Sequence, residues 1–183
     1  MRSPAHAICR LAALFAATWV LGTSLSAQTT LLLTDGDASN LQAVDTTTGN
    51  TLYSTTTFSL AYPLAGHDTL WLGQRDNTGT AVEYSLATGL VTGLQATLSG
   101  VNIGTDELLD GAASSTTNFT LGWNGTGNVN VYQAAKDWSN LTLLFNTTSL
   151  GLGSDLLGIT YDSASGNLWL SGDSTVYQVS LCG

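Results

Sequence analysis

Two aspartates in the segment DGDASN, residues 35–40, are the first side chains whose spacing could do chemistry. Asp35 and Asp37 place carboxylate oxygens at alternate positions, as the first ligands of a calcium loop do. An EF-hand loop also needs a glycine at its sixth position and a glutamate at its twelfth, but Asn40 and Thr46 occupy those positions here. The segment therefore indicates a turn between two strands, and Asp35 and Asp37 are kept as an alternative calcium site of another type.

Tryptophans are the second group of candidates, because an indole ring offers a large apolar surface together with a polar N–H group. Trp71 and Trp169 occupy the same position in two LWL segments, and a repeated aromatic of this kind is typical of packing between neighbouring sheets. Trp123 and Trp138 fall outside that repeated position. We therefore predict that Trp123 and Trp138 are the residues that bind a ligand, either a protein or a carbohydrate.

Residues 1–27 have the pattern of a secretory signal peptide. Arg2 and Arg10 supply positive charge, the apolar run at 11–21 follows, and small residues precede the expected cleavage site. That run is shorter than the about 20 residues that a membrane-spanning helix needs, so we expect no stable membrane span after cleavage. The remaining residues, 28–183, are expected to form one domain in a secreted, periplasmic or cell-surface protein.

The charge of the predicted mature chain narrows the choice of partners. Two basic residues, Arg75 and Lys136, remain against thirteen acidic ones, which gives a net charge of −11. Such a charge disfavours nucleic acid and anionic membranes as partners. Cys182 is the single cysteine left, so the mature chain is expected to form no internal disulfide.

A repeat supplies the elements that must position these residues. Four segments share an apolar strand, a polar turn and a second strand that ends in a small polar residue. The ends align at Asp45, Ser85, Ala135 and Ser180, with spacings of 40, 50 and 45 residues. This period is typical of four-stranded propeller blades, and side chains alternate with period two inside the segments, which indicates β-strands.

The alignment predicts four antiparallel strand pairs and two further strands. The pairs are 30–35 with 40–45, 69–73 with 80–86, 118–123 with 128–134, and 167–171 with 175–181. The further strands fall within 90–98 and 155–166. A Thr-Gly turn is expected at the same position in the first two repeats, at 47–49 and 87–89.

Two segments, LLLTDGDASNLQAVDTTTG at 31–49 and GITYDSASGNLWLSGDSTVYQVSL at 158–181, resemble bacterial propeller repeats of the YVTN and NHL type. The resemblance implies an all-β fold, a β-propeller-like array of four-stranded antiparallel blades, and binding rather than a reaction. About four repeats fit in the chain, with the first lacking its innermost strand and the last its outermost. Unpaired strands at both ends predict self-association through open sheet edges, unless the chain is part of a longer protein.

Catalytic signatures are not visible in the sequence. His67 is the single histidine after residue 27, and no G-x-S-x-G nucleophile motif occurs. We expect no catalytic residue and no cofactor. The leading interpretation is a non-catalytic binding or scaffold module of propeller type, and the alternative is a metal-dependent propeller hydrolase or lyase.

Overall fold

The computed structural model of the chain describes residues 30–35, 39–57, 61–65, 69–74, 80–98 and 107–181. These residues form an all-β structure of fourteen strands, with one 3-10 turn at Thr148–Leu150 as the helical element of the described part. The segment 1–27, predicted to be a signal peptide, lies outside the described residues. No helix within the described ranges is long and apolar enough to cross a membrane.

The strands form four antiparallel sheets, and the order within each sheet follows the chain. Sheet 1 contains β1 (Thr30–Asp35), β2 (Asn40–Asp45) and β3 (Thr51–Thr56). Sheet 2 contains β4 (Ala61–Ala65), β5 (Leu70–Gln74), β6 (Thr80–Tyr84) and β7 (Val91–Thr97). Sheet 3 contains β8 (Glu107–Ala113), β9 (Asn118–Trp123), β10 (Val129–Ala134) and β11 (Thr142–Asn146). Sheet 4 contains β12 (Leu156–Asp162), β13 (Asn167–Gly172) and β14 (Val176–Ser180).

The four predicted strand pairs are confirmed, as are the two further strands, which are β7 and β12. The sheets hold three, four, four and three strands. Sheet 1 begins with the strand that corresponds to the second strand of sheets 2 and 3, and sheet 4 ends after its third strand. The expected incompleteness of the first and last repeats is therefore seen in the described residues.

The shared Thr-Gly turn is also confirmed. The N–H of Gly49 donates to the carbonyl of Asp45 at 2.8 Å, and the N–H of Gly89 donates to the carbonyl of Ser85 at the same distance. Both glycines have left-handed backbone angles, with φ of 72° and 69°, which side chains other than glycine adopt at a cost. Gly89 also lies against the ring of Tyr53, where a Cβ atom would clash, so this turn fixes how sheet 1 meets sheet 2.

The core lies between successive sheets, and we call each packed space a seam. Strand β4 contacts β1 and β8, and β8 contacts β12, so the first strands of sheets 2 to 4 line up in chain order. Seam 1–2 is built around Leu41, Leu70, Leu72 and Tyr84. Seam 2–3 holds Leu64, Trp71, Ala81, Ala96, Leu98, Leu108, Tyr132, Ala134, Trp138 and Leu141. Seam 3–4 holds Ala112, Phe119, Leu121, Val129, Val131, Leu156, Ile159, Leu168 and Leu170.

Buried polar groups in the sheets find partners close to their own repeat. Glu83 accepts hydrogen bonds from the hydroxyls of Thr69 at 2.8 Å and Thr92 at 2.6 Å. Asn118, fully buried at the start of β9, accepts from the Lys136 ammonium at 2.9 Å. These hydrogen bonds offset the cost of removing the polar groups from water, so the buried polar side chains stabilise the sheets.

Candidate functional site

A groove of about 330 Å³ opens between sheet 3 and sheet 4 at one end of seam 3–4. Its volume falls at the lower end of the about 300–1,000 Å³ that is typical of small-molecule sites. Sheet 3 contributes one aliphatic and one indole side chain, and sheet 4 contributes aliphatic side chains, a hydroxyl and two carboxylates. The lining residues are Leu109, Trp123, Ser154, Asp155, Leu156, Leu157 and Asp173.

Two β-bulges position the aliphatic walls of this groove. The pairing of β8 with β9 skips Leu109, and the pairing of β12 with β13 skips Leu157. A bulge leaves one residue without a partner in the ladder and bends its strand. Because both skipped residues line the groove, we attribute the opening of the seam here to irregularities in two neighbouring first strands.

Trp123 is the last residue of β9, where it pairs with Val129 across the strand. Its half-buried ring packs against the apolar cluster of seam 3–4 and also lines the groove. The packing on the strand side fixes the orientation of the indole, while the side toward the groove stays accessible. The structure therefore presents one of the two predicted binding tryptophans in a concave surface.

Two exposed carboxylates face the same groove. Asp155 precedes β12, and Asp173 lies in the turn between β13 and β14. A Cβ atom on Gly172 would lie 2.6 Å from the backbone carbonyl oxygen of Asp155, so only glycine lets these two segments approach so closely. A smaller cleft of about 70 Å³ continues past both aspartates to Tyr177.

Asp110, which follows the bulged Leu109, links sheet 3 to sheet 4. Its carboxylate accepts a hydrogen bond from the backbone N–H of Ile159 at 2.8 Å, which joins β8 to β12. Burial raises the pKa of the Asp110 carboxyl above its usual value, and hydrogen bonds from the N–H groups of Ile159 and Gly111 counter part of that rise. The side chain already has a partner in the fold, so it positions sheet 4 rather than lining the groove.

Trp138, the second predicted binding residue, is in a different environment. Its side chain is 0% exposed and belongs to the apolar cluster of seam 2–3. The residue has a positive φ of 60°, and the indole nitrogen is buried without a hydrogen-bond partner among the described residues. Its binding role stays a prediction, and the geometry assigns the ring to packing between sheets.

A second surface groove, of about 380 Å³, lies beside the turn that carries Trp138. Its one carboxylate, Asp137, already accepts hydrogen bonds from the hydroxyl of Ser139 at 2.6 Å and from its N–H at 3.0 Å. These bonds hold the pKa of Asp137 below its usual value. The groove beside Trp123 has two carboxylates and an accessible indole, so we take it as the candidate site.

The packing role expected for the two repeated tryptophans is confirmed for Trp71 and wrong for Trp169. Trp71 is buried in seam 2–3, as expected. Trp169 is 38% exposed, because it lies on the face of sheet 4 opposite Leu168 and Leu170, which are the residues that pack against sheet 3. No following sheet covers that face in the described part of the chain, so the packing interpretation is wrong for Trp169.

The calcium alternative at Asp35 and Asp37 lies outside what the structure describes. Asp35 ends β1, but its side chain is not described, and neither is Asp37. His67 is not described either. Among the described residues no group of three or more His, Cys, Asp or Glu could hold a metal ion. The calcium site and the metal-dependent enzyme both stay predictions.

Sequence reasoning missed Asp155 and Asp173 as site residues. The predicted strand pair 167–171 with 175–181 places Asp173 in the turn between the two strands, which is correct, but a turn assignment does not show what the turn faces. The signal that could have indicated the site is the pairing of a Gly-Ser-Asp segment at 153–155 with a Gly-Asp-Ser segment at 172–174 in one repeat. Only the close approach at Gly172 shows that these segments meet.

No family model and no curated protein matches the chain. Solved structures match it by fold. The glutaminyl cyclase of Myxococcus xanthus is 11% identical, with 82% of this chain and 67% of that chain covered and a TM-score of 0.62. The dihydro-heme d1 dehydrogenase NirN in complex with DHE is 10% identical, with 85% and 33% covered and a TM-score of 0.52. A chain of the mitotic checkpoint complex is 11% identical, with 83% and 47% covered and a TM-score of 0.50.

These solved structures have propeller-type folds, so the described part of the chain is all-β and propeller-like. This chain spans about a third of the NirN chain and about half of the checkpoint chain. At such low identity the similarity extends to the fold and to no function. The resemblance to YVTN and NHL repeats is therefore supported as far as the propeller-type fold.

Proposed function

We propose that this protein is a secreted, non-catalytic binding module of propeller type that takes a neutral carbohydrate in the groove beside Trp123. The observation that carries the proposal is that an accessible indole and two exposed carboxylates line one groove. Propeller-type neighbours support the proposed array of blades, and the pattern of residues 1–27 supports secretion.

The chemistry of the groove favours a ligand with an apolar face and a hydroxylated edge. The C–H face of a sugar ring stacks on an aromatic ring, and Trp123 offers such a ring with its orientation fixed by packing. Sugar hydroxyls donate hydrogen bonds, and the carboxylates of Asp155 and Asp173 can only accept them when ionised. An anionic ligand would meet two negative charges with no lysine or arginine in the lining, so the groove selects against acidic sugars.

Binding of neutral and acidic polysaccharides to the purified chain tests this proposal. We expect Trp123→Ala to weaken binding of a neutral glycan about tenfold, which corresponds to about 1.4 kcal/mol. Trp123→Tyr should retain most of the affinity, because it keeps an aromatic face. Leu143→Ala, an exposed aliphatic change on sheet 3 outside the groove, serves as the matched control.

The same binding titration can also contradict the proposal. Binding that survives Trp123→Ala unchanged would place the ligand elsewhere. Preferential binding of acidic glycans would contradict the role of Asp155 and Asp173. The metal-dependent hydrolase or lyase stays the alternative, and release of reducing ends or unsaturated sugar products during incubation with those polysaccharides would favour it.

A further inference from the structure

Among the described residues, each inner sheet is covered on both faces by its neighbours, whereas the two end sheets are covered on one face. In sheet 1, Leu32 and Leu41 belong to seam 1–2, and the alternation of the strands places their neighbours on the opposite face. The described side chains of this first free face include Leu31, Leu33, Gln42 and Val44. Leu31 is 49% exposed and Leu33 is 45% exposed, so nothing in the described chain covers them.

The last free face belongs to sheet 4. Leu168 and Leu170 pack into seam 3–4, so the residues between and beside them face away from sheet 3. Register places Trp169 between Thr160 and Gln178 in one row across the sheet, and Ser171 opposite Val176 in the next. Trp169 and Val176 are among the large apolar side chains that remain exposed.

The repeat indicates what kind of surface covers such a face. Trp71 and Trp169 share a position in the alignment, and each lies on the face of its sheet that points along the chain order. Trp71 is buried there because sheet 3 packs over it. The surface that fits on the Trp169 face is therefore the face that each sheet directs toward the sheet before it. The first free face of sheet 1 is such a face, because no earlier sheet is described.

Charge on the two free faces agrees with a covered surface. The chain carries thirteen acidic residues, yet the side chains named above on both faces are all uncharged. The exception is Asp162 at the turn end of β12, which alternation from Thr160 places on the last free face. Hydrogen bonds, chiefly from the Ser165 hydroxyl and including one from the Trp169 side chain, hold its pKa below the usual value. The rows that carry Trp169 and Leu33 are uncharged, and the Asp162 carboxylate beside them already has hydrogen-bond partners, so a second face can cover these rows without burying an unpaired charge.

We propose that the last free face of one chain packs on the first free face of a second copy, head to tail. The two copies extend the stack that already runs from sheet 1 to sheet 4 inside each chain. Counted over the described residues, two such contacts join two chains into a ring of eight sheets, which is at the upper end of the about four to eight blades that propellers contain. Three copies would give twelve sheets and exceed that range, so the geometry favours a dimer with two identical heterologous contacts.

This dimer differs from association through open sheet edges, because faces meet rather than backbone groups. Sedimentation velocity of the purified protein at about 0.15 M salt should give twice the mass of a single chain. Leu33→Glu and Trp169→Glu, one on each free face, should each give a monomer. Leu143→Glu makes the same change in charge at a residue 53% exposed on an outer strand, and should stay dimeric.

An equimolar mixture of the Leu33→Glu and Trp169→Glu chains provides the decisive measurement. Each variant keeps the face that the other has lost, so a mixed pair has one wild-type contact, and the mixture should form mixed dimers through that contact although neither variant forms dimers alone. If the Leu33→Glu chain still dimerises by itself, one face pairs with its own copy and the proposal is wrong. A monomeric wild-type chain, or dimers in both single variants, would overturn it as well. Far-UV circular dichroism checks that both variants fold, and Leu31→Glu with Val176→Glu repeats the test at neighbouring positions.

Discussion

The two seams that flank sheet 3 are built from similar strands but differ in what fills them. Seam 2–3 is closed by Trp138, whose ring is fully buried among aliphatic and aromatic side chains. Seam 3–4 opens at one end, where Trp123 is half-buried and the bulged Leu109 and Leu157 line a groove. The same residue type therefore serves packing on one side of sheet 3 and a concave surface on the other.

The difference arises from where each tryptophan sits along its repeat. Trp138 follows β10 in a tight turn with positive φ, so its ring folds back into the seam. Trp123 ends β9 and stays in register with the sheet, so its ring reaches the rim of the seam. A ring that returns to the core gains contact on all sides, whereas a ring at a rim leaves one face for a ligand.

Truncation of Trp138 should give the largest effect on stability. Trp138→Ala leaves a cavity in seam 2–3, and we expect it to cost about 3–5 kcal/mol and to lower the melting temperature by about 10 °C. Trp138→Phe should lose less, because it keeps a ring and removes an indole nitrogen that has no described partner. Thermal unfolding followed by circular dichroism measures both.

The backbone angle at Trp138 gives this experiment an internal control. Glycine is usually less stable than alanine inside a structure by about 0.5–1 kcal/mol. At a φ of 60° the order should reverse, because glycine adopts the left-handed region without a penalty. If Trp138→Gly unfolds at a lower temperature than Trp138→Ala, the backbone at this position does not have the left-handed conformation described.

The sequence predicted the positions of the strands, but it could not show that Trp123 lines a groove while Trp138 is buried. The strand pairs follow from alternation and from recurring Gly, Asn and Asp turns, which are local properties of a segment. Trp123 and Trp138 both break the repeat, so both became binding candidates. The two tryptophans differ in that Trp138 has a positive φ in a turn, whereas two β-bulges lie near Trp123. The sequence predicts neither feature, because both depend on how the neighbouring sheet packs.

The same limit applies to the free face at Trp169. Its position in an LWL segment predicts burial as reliably as the position of Trp71 does, because the local pattern is identical. The outcome depends on whether a further sheet follows, which is a property of the whole arrangement. The number of strands in each sheet was predictable from the repeat, but the cover of the end faces was not.

Asp110 should give the stability of seam 3–4 a dependence on pH. Its pKa is raised in the folded state by burial, so the ionised carboxylate costs stability. That cost is absent at low pH and appears as the pH rises from the unfolded pKa through the folded pKa. Asp110→Asn keeps an oxygen that accepts from the N–H of Ile159 and cannot ionise, so it should melt above the wild type at pH 7 and match it below about pH 3.9.

Two further variants test whether burial of the Asp110 carboxylate causes this pH dependence. Asp110→Ala removes the acceptor and should lose about 1–3 kcal/mol, because the N–H of Ile159 is left without its partner. Asp162→Asn should act in the opposite direction to Asp110→Asn. The pKa of Asp162 is lowered chiefly by the hydroxyl of Ser165, so its contribution is present at neutral pH and lost as the pH falls through the folded pKa. A neutral-pH loss for Asp110→Asn would contradict the sign given for Asp110.

The smallest expected effect is the coupling between the two tryptophans. Trp123→Ala should cost less than half of what Trp138→Ala costs, because one face of the Trp123 ring is already open to the groove. The two side chains belong to different apolar clusters, on opposite faces of sheet 3. Effects at sites without shared partners add within about 0.3–0.5 kcal/mol, so the double variant should equal the sum of the single variants. A coupling above about 1 kcal/mol in a double-mutant cycle from urea unfolding would mean that sheet 3 transmits strain from one seam to the other, and that the groove at Trp123 depends on the closed packing at Trp138.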